Sequence, residues 1–248
     1  MKIFNFKLLF ILLIFSMTIP SRIIAEEIKL ASLEWPPYVG TKLSQYGFTS
    51  EIVKEIFNKA GYKVKYNFMP WARVLKCVER GNYDAAYPAY FSKERAEKYA
   101  MSEPIAHGPL VLFKRKSDSI KFTKLIDLKP YKIGVVRGYV NTPEFDNAAY
   151  LNKEAVNSDE QNIKKLLKRR IDLAVVDKYT GLYLIKTKDL DPQKELNFID
   201  RALENKTLHV AFSKKLPNYQ KIVEQFNSTL KELQKDNTLT NIIEKQGF

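Results

Sequence analysis

Apolar positions recur along the chain with two alternating periods. Ile28 to Leu33 is a short apolar run that predicts a strand. Ser50 to Ala60 then sets Ile52, Val53, Ile56, Phe57 and Ala60 on one helical face, with Gly61 as the stop. Lys63 to Phe68 alternates with period two. Pro70 opens a second helix that buries Val74, Leu75 and Val78 and ends at Gly81, ahead of a short strand around Tyr83 to Ala86. This β-α-β-α-β order predicts a mostly parallel sheet. The pattern restarts after a strand at Leu110 to Lys114. The charged stretch Lys114 to Lys121 reads as a crossover, and Lys132 to Val136 begins a second sheet. Ser158 with Gln161 three positions on resembles a capping box, before a helix burying Ile163, Leu166 and Leu167. Leu173 to Val176 and Leu208 to Phe212 are further strands, and Tyr219 to Lys235 aligns Ile222, Val223, Phe226, Leu230 and Leu233. The expectation is two small α/β lobes, with the binding site in the cleft where the carboxyl ends of their strands face each other.

The first 25 residues do not fit this scheme. Lys2 and Lys7 precede an apolar run from Leu8 to Phe15, and the segment ends in Ala25. That layout reads as a secretory signal peptide cleaved near Ala25. A spanning helix needs roughly 20 apolar residues, and Ser16, Thr18, Pro20, Ser21 and Arg22 interrupt this run. The mature chain is therefore expected in the periplasm. Its lone cysteine, Cys77, lies far from the signal and offers neither a lipid anchor nor an intramolecular disulfide, so a single hydrophobic interior must hold it together.

The formal charge is +13, of which Lys2, Lys7 and Arg22 supply three, leaving +10 on the mature chain. Lys and Arg are spread along the chain instead of clustering, which argues for a solvated basic surface and against a nucleic-acid partner. No cofactor motif or metal-ligand spacing occurs. His107 and His209 lack any partner pattern, His209 reading as a packed or hinge residue, and Cys77 reads as a small buried hydrophobe beside Val74 and Val78.

Several short segments then fall into a familiar order. Trp35-Pro36-Pro37-Tyr38, Gly47-Phe48 leading into Glu51 to Ile56, Gly81-Asn82-Tyr83-Asp84-Ala85, Glu94-Arg95-Ala96 and Ser102-Glu103-Pro104 are followed by Ile133 to Gly138 and Asp172 to Asp177. From about residue 28 to the C-terminus the chain resembles the family 3 bacterial solute-binding proteins, the periplasmic amino-acid-binding proteins of ABC transporters. The resemblance implies a periplasmic-binding-protein type II fold: two α/β lobes joined by a two-strand hinge. Residues 26–113 plus 208–248 would form a discontinuous first lobe and 114–207 an inserted second one, with hinges near Lys114 and Thr207. It also implies a monomer that closes around a small polar ligand, an amino acid or related carboxylate, and hands it to a permease in the inner membrane.

The resemblance implies particular site residues as well. Arg95 matches the family's carboxylate-binding arginine, whose planar fork holds both oxygens. Asp177 matches the acid that receives the ammonium, although a helix N-cap role is the alternative there. Trp35 stands where an aromatic stacks on the ligand, and Trp71 at another cleft-lining position. Tyr38, Tyr87 and Tyr90 are further aromatic candidates. Gly138 and Tyr139 lie in a turn before Thr142-Pro143-Glu144, an N-cap with proline at the first helical position, and their amides are candidate donors to a carboxylate. Arg73, within Pro70-Trp71-Ala72-Arg73, is a candidate second cation. The chain departs from the family pattern at Thr49, where an acid is common, and at Pro88 and Ala89, where serine or glycine offers donors that a proline lacks. Two other functions fit the same scaffold: a cyclic-carboxylate dehydratase, for which Glu34 is the acid nearest the cleft aromatics, and a ligand-sensing receptor.

Overall fold

The structure is a computed structural model that describes residues 26–187, 190–191 and 193–245; the segment read as a signal peptide lies outside the described residues. The elements run β1 (Glu27–Ser32), α1 (Phe48–Lys59), β2 (Lys63–Phe68), α2 (Trp71–Glu79), β3 (Ala85–Tyr90), α3 (Lys93–Lys98), β4 (Tyr99–Met101) and β5 (Ala106–Arg115). They continue with β6 (Lys132–Val136), α4 (Pro143–Asn147), β7 (Asn152–Val156), α5 (Asp159–Leu167), β8 (Leu173–Asp177), α6 (Lys178–Thr187), β9 (Leu196–Ser213), α7 (Tyr219–Lys235) and α8 (Thr238–Lys245).

The same parallel trio is built twice. β1 lies between β2 and β3, and β6 between β7 and β8, each pair parallel. Both trios end against antiparallel strands, β3 on β9 and β8 on β5. Because β5 and β9 also pair with each other, the two expected sheets are one hydrogen-bonded sheet, in the order β2-β1-β3-β9-β5-β8-β6-β7, with β4 on β9.

The joining ribbon is the main departure from the sequence reading. The apolar run Leu208 to Phe212 is only the end of β9, which extends back to Leu196. Its middle carries Asp200, Arg201, Glu204, Asn205 and Lys206, polar residues that hid it from any search for an apolar run. Leu110 pairs with Glu204 but Leu112 with Ile199, so extra residues of β9 bulge out at this point. Leu208 to Phe212 then pairs with β3, and Leu196 with Arg115 at the far end of β5.

Strand alternation sorts the interior. In β5 and β8, Leu112, Leu173 and Val175 join the large interior that also holds Ile28, Leu30, Ile52 and Phe212. Their neighbours Val111, Phe113, Ala174 and Val176 pack with Ile163 and Leu166 of α5 on the opposite face. α7 covers the first half, with Phe226 fully buried and its ring 5.2 Å from Phe57 and 5.5 Å from Phe212. Phe226→Ala removes this contact and should lower the unfolding free energy by about 3–5 kcal/mol in urea titration. A loss below about 1 kcal/mol would show that α7 is not part of the cooperative core.

Candidate functional site

Arg95 reaches the cleft from the first turns of α3. Ser92 caps that helix, accepting from the Arg95 amide at 3.1 Å, and so fixes where the arginine begins. Arg95 is 5% exposed. Nη1 donates to the Tyr90 carbonyl at 2.7 Å, and Nη2 donates across the cleft to the Gly138 carbonyl at 2.7 Å. Its carbon lies 5.5 Å from the centre of the Trp71 ring, whose Nε1 donates to the same Gly138 carbonyl at 3.1 Å. Among the described residues no carboxylate forms an ion pair with it, and burial pulls its pKa down to about 10. A buried cation answered only by two carbonyls and a ring face is under-compensated.

Gly138 sits at φ +79 in the turn after β6, a conformation that favours glycine. The turn works the other way round from the sequence expectation. The Tyr139 amide closes it by donating to Val136 at 3.1 Å, and what Gly138 presents to the cleft is a carbonyl. The expected amide cradle is therefore an acceptor for Arg95, because the positive φ rotates the Gly138 carbonyl inward.

Asp177 ends β8 and serves two roles at once. Oδ1 accepts from the amides of Tyr179 and Thr180 at 2.9 and 3.1 Å, which caps α6. Oδ2 accepts from the hydroxyls of Tyr38 at 3.0 Å and Tyr90 at 3.3 Å, both from the other half of the sheet. Burial raises its pKa to about 6 against the opposing pull of these donors. Gly108 of β5 makes the approach possible: a Cβ there would overlap both the Tyr38 hydroxyl and Asp177 Oδ2.

Trp35 and Val39 form a tight antiparallel bridge that folds Tyr38 back on Trp35, their rings stacked at 4.5 Å. Tyr90 and Tyr139 meet Trp35 edge-on at 5.6 and 6.5 Å. These side chains fill the space themselves. Between Leu33, Trp35, Trp71, Tyr90, Arg95 and Tyr139 remains a cavity of about 20 Å³, room for one water. A larger molecule enters only when the two sides separate.

Two of the candidates stand elsewhere. Tyr87 is buried on the helix side of β3, its hydroxyl 2.9 Å from Ser50 Oγ and its ring beside Tyr66, because alternation along the strand points it away from the cleft. Arg73 is exposed on α2, whose buried face is Trp71, Val74 and Val78. Glu34 is exposed and held by the Thr41 amide and hydroxyl. His209 is a packed residue, bonded to the Ser102 carbonyl at 2.7 Å and Thr207 Oγ1 at 2.8 Å, and burial lowers its pKa.

Two residues escaped the sequence reading. Asp159, the first residue of α5, is 4% exposed; its Oδ2 accepts from the Tyr139 hydroxyl at 3.1 Å, while Oδ1 completes no hydrogen bond. Burial, reinforced by the Asp177 charge, raises its pKa to about 7. Ser158 caps α5 as expected, accepting from the Gln161 amide at 3.3 Å, but Gln161 Oε1 accepts from the Asn157 amide instead of that of Ser158. That cap rotates Asp159 inward. Lys206, amid the polar stretch of β9, is 4% exposed and bridges the Asn141 carbonyl at 2.8 Å and Glu204 at 3.1 Å. No apolar or motif signal marked either residue.

Comparison with known proteins is consistent with this geometry. The sequence model described as "Bacterial extracellular solute-binding proteins, family 3" matches residues 29–247. The chain is 30% identical over 216 residues to the probable ABC transporter extracellular-binding protein YckB of Bacillus subtilis, covering 82% of this chain and 69% of that one. It is 25% identical over 203 residues to the L-cystine-binding protein TcyJ of Escherichia coli, covering 80% and 73%. An ancestral arginine-binding protein bound to arginine has the same fold, with a TM-score of 0.77 at 23% identity, covering 90% of this chain and 98% of that one.

The geometry makes two predictions. Gly108→Ala forces Tyr38 from Asp177, so small-angle scattering should show a larger radius of gyration than wild type; an unchanged radius contradicts the close approach. Asp159 and Asp177 bind protons more tightly folded than unfolded between about pH 4 and 7, so the stability they contribute is full below that window and is lost as pH rises through it. The thermal midpoint should therefore fall less steeply from pH 5 to 7.5 in Asp159→Asn than in wild type. Parallel curves would contradict this.

Proposed function

Because the chain belongs to family 3 of the bacterial extracellular solute-binding proteins, we propose that it captures an α-amino acid in the cleft and delivers it to the permease of an ABC importer. One observation carries the reading: a buried guanidinium with no carboxylate partner, Arg95, lies across the cleft from a buried acid, Asp177. A ligand carboxylate fits the first as a bidentate partner, replacing the Gly138 carbonyl, and an ammonium fits the second, replacing the tyrosine hydroxyls on Oδ2. The transport role draws on relatives such as TcyJ and YckB.

Two lobes would move, one on each parallel trio; Leu110–Phe113 of β5 pair with β8 and pack on α5, so they would travel with 114–207 and not with 26–109 and 208–248. The register break at Leu110–Leu112 and Ile199–Glu204 lies on the connecting ribbon where it joins the second lobe, a few residues from the expected hinges at Lys114 and Thr207. Closure needs no covalent chemistry: ligand shifts the population toward the closed state because it binds that state better. The exposed, Thr41-bonded Glu34 also speaks for binding over catalysis. Export to the periplasm with cleavage near Ala25, and action as a monomer, complete the proposal.

A thermal-shift screen of amino acids, followed by calorimetry on the best ligand, tests it. Arg95→Ala should weaken binding by about 2–5 kcal/mol, the cost of breaking a desolvated charge pair. Unchanged affinity would remove Arg95 from the site.

A further inference from the structure

Beyond Trp35 the cleft opens into a second cavity of about 590 Å³. Glu34, Thr41 and Lys42 form one wall, and Asp159, Glu160 and Thr180 the other. Glu34 and Lys42 are exposed, and Glu160 pairs with Lys164 at 2.6 Å. The two buried wall residues are different. Asp159 is 4% and Thr180 1% exposed, and neither Asp159 Oδ1 nor Thr180 Oγ1 has a hydrogen-bond partner. The Trp35 indole nitrogen, also buried, turns its N–H toward Asp159. Unsatisfied buried polar atoms are uncommon and call for an explanation.

Charge supplies one. On the reading above, an α-amino acid pairs its carboxylate with Arg95 and its ammonium with Asp177. That leaves Asp159 as a buried carboxylate answered by two neutral donors, the Tyr139 hydroxyl and the Trp35 indole N–H, and by no cation. Lys206 does not serve, since its Nζ is held by Asn141 and Glu204. A zwitterion adds no net charge, so the deficit persists unless the ligand brings a further cation. Asp159 sits on the shared boundary: its Tyr139 partner lines the small cavity at Arg95, and Asp159 itself lines the large one.

We propose that this larger cavity is the side-chain subsite of the ligand, and that Asp159, with Glu34 on the facing wall, selects an amino acid whose long side chain ends in a cationic nitrogen. The inference rests on the assignment of Arg95 and Asp177 to the α-groups. Thr180 Oγ1 supplies a further acceptor on the wall of the larger cavity, and the Trp35 and Tyr139 rings line the small cavity from which the side chain would extend.

L-arginine and L-citrulline test this, being nearly the same shape and differing in the distal charge. Calorimetry on the wild-type protein should show arginine binding about ten-fold or more tighter than citrulline, the scale of a charged hydrogen bond. In Asp159→Asn that ratio should fall to near one. Equal affinities in the wild type, or a ratio that survives Asp159→Asn, would overturn the subsite while leaving Arg95 and Asp177 in place. Neutral amino acids binding where arginine and citrulline do not would overturn it in the same way. Failure of every α-amino acid to bind would overturn the α-group assignment and the subsite together.

Discussion

Everything in the cleft is arranged around a guanidinium that has been taken out of water without an anion. Arg95 keeps its charge through two carbonyls and the face of Trp71, one of those carbonyls belonging to the opposite side of the cleft. Burying a charge in that way is unfavourable unless something compensates. The Gly138 carbonyl is a partial compensation, weaker than a carboxylate would be. The arrangement holds the two sides together and at the same time leaves the arginine able to exchange its weaker partner for a stronger one.

The ribbon of β5 and β9 makes such an exchange mechanically plausible. It is the only strand-to-strand connection between the two parallel trios among the described residues. Its register break, where bulged residues of β9 interrupt the ladder, lies opposite Leu110–Leu112, at the end of the ribbon that also pairs with β8. A ladder interrupted there bends at smaller cost than a continuous one, whereas each trio is packed against its own helices. Gly108, on the same ribbon, is where Tyr38 and Asp177 meet, so the hinge and the site share residues.

Much of this was legible in the sequence, for identifiable reasons. β2, β6 and α7 are found where periodicity put them, because apolar alternation and the helical stripe survive intact there. Arg95, Asp177, Trp35, Tyr38, Tyr90 and Trp71 come together in the structure, and the resemblance rather than periodicity pointed to them. What failed did so for physical reasons. Half of β9 is polar because it spans between the two halves of the sheet. Tyr87 was placed in the cleft although strand parity turns it inward to Ser50. Nothing in the sequence singles out Asp159, one of two acids in the first turn of α5, and only the direction in which α5 leaves its Ser158 cap carries it into the cleft. Sequence spacing records which face a residue shares, whereas the direction of an element in space depends on the packing of the whole chain.

A crystal structure of the protein with a bound amino acid decides whether Arg95 gives up the Gly138 carbonyl for a ligand. The ligand carboxylate should lie within hydrogen-bond distance of both terminal nitrogens of Arg95, with the Gly138 carbonyl released and the ammonium on Asp177 Oδ2. A bound ligand that leaves the Arg95–Gly138 bond intact and lies away from Asp177 would contradict it.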